Sequence, residues 1–156
     1  MEFDESVRML RRIPMFAKLD ISKLKLLAFA GEYQTFDDGE VLFYEGEAAD
    51  CAYIIDEGEA VVSGGQGEDA MTVSTLGKHS LFGEMAIFRG STRTATVKAG
   101  GSLKVIRIDG SMFLKMVTEN PDAALGVMQV LSDKIARAMN DYGDLDKKYR
   151  ALKDGA

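Results

Sequence analysis

The chain has 156 residues, enough for one domain with a sizeable core, and its 46% hydrophobic and 28% charged content is that of a globular protein. A formal net charge of −6 argues against generic phosphate-backbone binding, so no DNA partner is expected. One histidine excludes a histidine-cluster metal centre and one cysteine excludes an internal disulfide, while no apolar run approaches the ~20 residues of a membrane span and Met1–Arg12 lacks the apolar stretch of a signal peptide.

Charge and glycine are unevenly placed. Gly31–Gly77 carries 12 acidic residues and no Lys or Arg, and 12 of the 16 glycines lie between Gly31 and Gly101. The front end reads as helical, with Leu24, Leu27 and Ala28 at helical spacing after Asp20 and Ser22, either of which suits a cap. Short apolar runs then alternate with turn signals. VLFY (41–44) follows Asp37-Asp38-Gly39, AYII (52–55) follows Glu45-Gly46-Glu47, and AVV (60–62) follows Asp56-Glu57-Gly58-Glu59. Gly64-Gly65-Gln66-Gly67 reads as a hairpin tip, MTVSTL (71–76) leaves it, and TATV (94–97) and LKVIRI (103–108) close the series. Strands at this spacing predict an all-β sandwich or barrel.

The back end is helical again. Asp109-Gly110-Ser111 precedes a short amphipathic helix, MFLKMV, and Asn120-Pro121-Asp122 opens a longer one. Leu125, Met128, Ser132, Ile135, Met139 and Tyr142 step by three and four. This stripe suits either packing on the barrel or a dimer seam of coiled-coil type. Gly143 predicts a break. Leu145, Tyr149 and Leu152 follow it among balanced charges.

The chemistry lies in LGKHSLFGEMAIFRGSTRTATV (76–97). Gly83 permits close backbone approach, Glu84–Phe88 makes about one helical turn with free N–H groups at its start, and Gly90 ends it. Arg93 can supply a guanidinium fork to an anion held there. The alternative is a plain Glu84–Arg93 salt bridge on a barrel. A nucleophilic pairing of Cys51 with His79 has no local support, and Cys51 reads as a small buried apolar residue.

This ordered set resembles the cyclic nucleotide-binding domain shared by catabolite-activator-type regulators, cyclic-nucleotide-dependent kinases and gated channels. The resemblance covers roughly residues 13–142. IPMFAKLDISKLKLLA is similar to the entry helix and its preceding loop. Asp38–Glu47 is similar to the turn between the second and third strands, followed by Tyr53-Ile54-Ile55 and Glu57–Val62. FGEMA with Arg93-Thr94-Ala95-Thr96-Val97 is similar to the phosphate-binding cassette.

The resemblance implies an α+β fold, an eight-stranded β-roll or jelly-roll barrel flanked by N-terminal and C-terminal helices. One domain is implied: a helical segment at 1–30, the barrel at 31–108 with its cassette at 82–96, helices over the site at 109–143 and a tail at 144–156. In the cassette Glu84 would accept the ribose 2′-hydroxyl, Arg93 would pair with the cyclic phosphate, and the N–H groups of Met85, Ala86 and Thr94 would complete the cradle beside Phe82, Gly83 and Ala95. The Thr94 hydroxyl does not decide between cAMP and cGMP. Arg137, Met139 and Tyr142 are candidates to cover the base.

One departure concerns the loop: His79-Ser80 stand where the family usually has Gly-Asp, which puts the conformation of that turn in question. No helix-turn-helix follows the long helix, so the expectation is a stand-alone module, cytoplasmic and without catalysis. It would sense cAMP or cGMP as a ligand, with no further cofactor, and signal to an unidentified effector protein. A homodimer through the C-terminal helix is a candidate assembly, and no membrane is involved. The competing expectation is a ligand-independent scaffold that docks partners through its helical tail. A cupin-like barrel enzyme fails on its need for several metal-ligand histidines.

Overall fold

The structure is a computed structural model that describes residues 2–64 and 71–154. Helix α1 (Glu2–Arg11), a 3-10 turn (Pro14–Phe16) and α2 (Ile21–Ala30) lead into eight strands. These are β1 (Glu32–Phe36), β2 (Val41–Phe43), β3 (Cys51–Glu57), β4 (Ala60–Gly64), β5 (Met71–Leu76), β6 (Leu81–Phe82), β7 (Thr96–Ala99) and β8 (Leu103–Asp109). The six-residue α3 (Glu84–Arg89) interrupts them between β6 and β7, and α4 (Gly110–Glu119) and α5 (Pro121–Asp154) follow. The expected jelly roll is present: two four-stranded antiparallel sheets, in orders β1-β8-β3-β6 and β2-β7-β4-β5. Its pairings nest around one hairpin, β4 with β5, β3 with β6, β2 with β7 and β1 with β8.

Alternation along the strands explains why one sheet lies deeper. In β3, Cys51, Tyr53 and Ile55 face the barrel interior with Phe43, Phe82 and Val105, whereas Ala52 and Ile54 face outward. The outward side is covered by helices, through Leu10, Phe16, Leu24, Leu27 and Phe113. Side chains of opposite parity thus feed two cores from one strand. Within the barrel the exposed acids fall mostly in the turns: Asp38 accepts from the Gly101 N–H at 2.8 Å and Glu40 from the Asp37 N–H at 2.8 Å.

Several expectations need correction. Neither Asp20 nor Ser22 caps α2 with a side chain; Asp20 is the N-cap residue but makes no such bond. TATV begins two residues early, because β7 starts at Thr96. The hairpin tip at 64–67 lies, beyond Gly64, outside the described residues. The break expected at Gly143 does not occur, and α5 runs through it to Asp154. A lone glycine costs a helix only about 1 kcal/mol, too little to end one. The stripe Leu125, Met128, Ile135, Met139 and Tyr142 does not pack on the barrel; all five are exposed, Tyr142 to 72%. The barrel-facing side of α5 is a different row, with Ala123 and Val127 buried and Val130 partly buried.

Gly126 sets how α5 meets the rest. A Cβ there would stand 2.8 Å from the Met15 carbonyl oxygen, so only glycine lets the helix lie directly on the Pro14–Phe16 turn.

Candidate ligand-binding site

All eight residues expected at the site, Phe82, Gly83, Glu84, Met85, Ala86, Arg93, Thr94 and Ala95, line one cavity of about 250 Å³. Its other walls are Phe43, Val62, Ser74, Leu76 and Val97 from the barrel and Lys134 from α5.

Local sequence explains this convergence. Gly83 takes φ +82°, in the left-handed region that favours glycine, and a Cβ on it would fall 2.8 Å from Arg93 Nη1. It is the N-cap of α3, whose first-turn N–H groups have no intrahelical acceptors. Gly90, at φ +60°, ends the helix, its N–H donating to Ile87 O and that of Ser91 to Ala86 O. The backbone of Arg93 is then tied to the turn after β2: its N–H donates to Glu47 O and its carbonyl accepts from the Gly46 N–H, both at 2.8 Å.

The Arg93 guanidinium is only 4% exposed. Nη1 donates to Gly83 O and Nη2 to Cys51 O, each at 2.7 Å, and the group lies over the Phe43 ring at 4.1 Å from its centroid. Phe43, Tyr53 and Phe82 form an aromatic cluster in the barrel interior. Nε has no partner among the described residues. Burial raises the pKa of the Cys51 thiol and of the Tyr53 phenol, so both stay neutral and neither compensates the cation. That protonated, buried thiol is also the opposite of a nucleophile's.

Glu84 is 1% exposed and does not pair with Arg93. Its carboxylate instead receives Lys134 Nζ from α5. The plain Glu84–Arg93 salt bridge is therefore overturned: each charge is buried with separate partners. Lys134 went unnoticed in the sequence, where Arg137, Met139 and Tyr142 were the helix candidates. Met139 and Tyr142 are exposed, and Arg137 lines a neighbouring cavity. The available signal was the row Ala123, Val127, Val130, Lys134, which steps by four, three and four along the inner side of α5.

The questioned turn is settled by its backbone. His79 has φ +69°, the hand that glycine would supply, and its N–H donates to Ile55 O at 2.8 Å. The turn is kept despite the histidine.

The jelly roll thus holds a buried cation with no carboxylate partner among the described residues, next to a short helix and a buried carboxylate. The family model for the cyclic nucleotide-binding domain matches residues 33–120, and the chain belongs to that family. The cAMP-dependent protein kinase type II regulatory subunit of Drosophila melanogaster is 34% identical over 110 residues, 70% of this chain and 29% of that protein. The chain spans about a third of the length of the curated relatives it matches. Among solved structures, the regulatory domain of Toxoplasma gondii PKA with cAMP superposes with a TM-score of 0.74 at 25% identity, over 87% of this chain and 50% of that one. A cyclic nucleotide-binding-like protein from Brucella abortus reaches 34% identity with a TM-score of 0.64, over 74% of this chain and 99% of that one.

Proposed function

We propose that this chain is a sensor for a cyclic nucleotide, cAMP or cGMP, bound in the cavity at 82–96. The observation that carries the reading is Arg93: a buried guanidinium with an open Nε and no anion beside it among the described residues is a cost to the fold unless a ligand supplies the charge. Arg93 pairs with the cyclic phosphate, the first-turn N–H groups of α3 and that of Thr94 complete the cradle, and Glu84 accepts the ribose 2′-hydroxyl. Phe82, Gly83 and Ala95 shape the walls. The PKA relatives above are cAMP proteins, which makes cAMP the first ligand to try.

Signalling follows from the Lys134–Glu84 contact. Ligand that engages Glu84 changes what holds α5 over the barrel, and so the population of α5 positions. The reading assigns no catalysis and a cytoplasmic location, consistent with the unpaired Cys51. The effector docks on the helical end, and the barrel at 31–108 and helices at 109–143 act as one domain with the tail at 144–156.

The exposed stripe favours a homodimer. Leu125, Ser132 and Met139 fall on one heptad position and Met128, Ile135 and Tyr142 on another, with Tyr149 continuing the second. Two copies of α5 joined along this seam bury what one copy leaves in water.

The test is calorimetric titration with cAMP, cGMP and linear AMP. The expected result is saturable binding of one cyclic nucleotide, AMP ignored, and loss of that binding in Arg93→Ala. No heat and no thermal protection with any of the three overturns the sensor and leaves the scaffold reading.

A further inference from the structure

A second and larger cavity, of about 520 Å³, opens where α5 crosses the Pro14–Phe16 turn and β6. It shares only Leu76, Phe82 and Lys134 with the first. Gly126 pins α5 against Met15, and the cleft opens beside the next two turns of the helix, between Gln129, Val130, Asp133 and Arg137 and the Ile13–Met15 and His79–Phe82 segments. Its floor is apolar: Ile13, Met15 and Phe82 are buried, and Leu81 and Val130 partly so. Its mouth is polar, with His79, Gln129 and Arg137.

Arg137 has no ion-pair partner among the described residues. Burial, and then the charges of Arg12 and Lys78, lower the pKa of His79 at the rim. The acid in the lining is Asp133 on α5, while Asp56, whose charge reaches His79, is paired with Lys104. Lys134 is committed to Glu84. A chain of net charge −6 therefore leaves Arg137 uncommitted at the mouth of an apolar hollow.

We propose that this cleft is a second ligand site, for an organic anion that joins one carboxylate or sulfonate to an apolar body. The apolar part fills the floor between the 3-10 turn and Leu81. The anionic group meets the Arg137 fork at the mouth. The volume lies within the range of small-molecule sites, and the mix of apolar walls with few polar groups is their usual lining. A nucleotide fits the floor poorly, because the floor offers no charged partner for a ribose or phosphate. The site stands independently of the cyclic-nucleotide reading.

The probe is 8-anilinonaphthalene-1-sulfonate, titrated into the full chain by fluorescence and then displaced by decanoate in one arm and by indole-3-acetate in another. The expected result is one saturable equivalent of dye, weakened at least tenfold by Arg137→Glu and by Gln129→Trp, which fills the cleft. Both positions are exposed, so melting curves should match wild type. Arg93→Ala and Ile135→Glu should bind dye as wild type does. Displacement by decanoate assigns an aliphatic ligand and by indole-3-acetate an aromatic one. No dye binding, binding indifferent to Arg137→Glu and Gln129→Trp, or binding lost in Arg93→Ala or Ile135→Glu overturns the proposal. In the last two cases the dye reports the nucleotide cavity or the exposed seam.

Discussion

Replacing Arg93 by methionine should separate ligand recognition from folding. Methionine fills similar space but carries no charge and no donors. On the binding side, a desolvated charge partner is removed, a loss of about 2–5 kcal/mol, or roughly 30- to several-thousand-fold in affinity. On the folding side the changes oppose each other. The bonds to Gly83 O and Cys51 O disappear, each charge-assisted and worth about 1.5–3 kcal/mol, and the stacking over Phe43, about 0.5–2 kcal/mol, goes with them. In return, a cation no longer has to be buried without an anion, a gain of several kcal/mol, and the orphan Nε, about 1–3 kcal/mol, is removed. The two sets are equal within their spread. Binding should collapse while the urea midpoint barely moves. Arg93→Lys, which keeps the charge but not the fork, should fall between. The assay is calorimetry with cAMP and cGMP alongside urea denaturation of each variant. A methionine variant that binds within threefold of wild type refutes the assignment of Arg93 to the phosphate. One that unfolds refutes the balance of opposing energies.

Lys134→Ala should destabilise the ligand-free fold by about 1–3 kcal/mol, less than a fully buried pair because Lys134 is half-exposed. Glu84→Gln in the same chain should recover most of the loss, and additive effects in this double-mutant cycle would sink the coupling. His79→Gly should stabilise the protein by about 1 kcal/mol by relieving the left-handed backbone. Because the folded pKa of His79 lies below its ordinary 6.5, the unfolded chain binds the extra proton more readily, and wild type loses stability as pH falls through that window. Melts between pH 8 and 5 should therefore show the variant's advantage widening below about pH 6.5, whereas a constant gap would mean that His79 titrates alike in both states. Ile135→Glu should convert a dimer to a monomer in sedimentation equilibrium, and a wild type that already sediments as a monomer rules out the seam.

Much of the barrel was legible because its turns announce themselves. Gly39, Gly46 and Gly58 all take positive φ, and each lies in a turn inferred from an acidic-glycine cluster. The short helix α3 was legible for the same reason, Gly83 and Gly90 bracketing it. What stayed hidden depends on relations between distant segments. The two-residue β6 is defined by pairing with Tyr53 and Ile54 rather than by its own pattern. The stack of Arg93 on Phe43 needs the register of β2 against β7. The α5 stripe left two readings open, and packing on the barrel falls because the buried row is instead built of Ala123 and Val127, with Gly126 between them. A helix that must lie close to its neighbour uses small residues there, and its largest ones are free for other work.

The nested strand pairing has a consequence for synthesis. Glu32 of β1 pairs with Arg107 of β8, 107 − 32 = 75 residues later. At about 5–20 residues per second, β1 waits roughly 4–15 s on the ribosome for its partner. β2 likewise waits for β7, so the first half of the barrel emerges as open strand edges. That half is the stretch from Gly31 to Gly77 with 12 acidic residues and no basic one. Wherever two nascent chains meet with this segment exposed, its uniform charge opposes pairing of their edges until β7 and β8, with their Lys98, Lys104 and Arg107, arrive to close them.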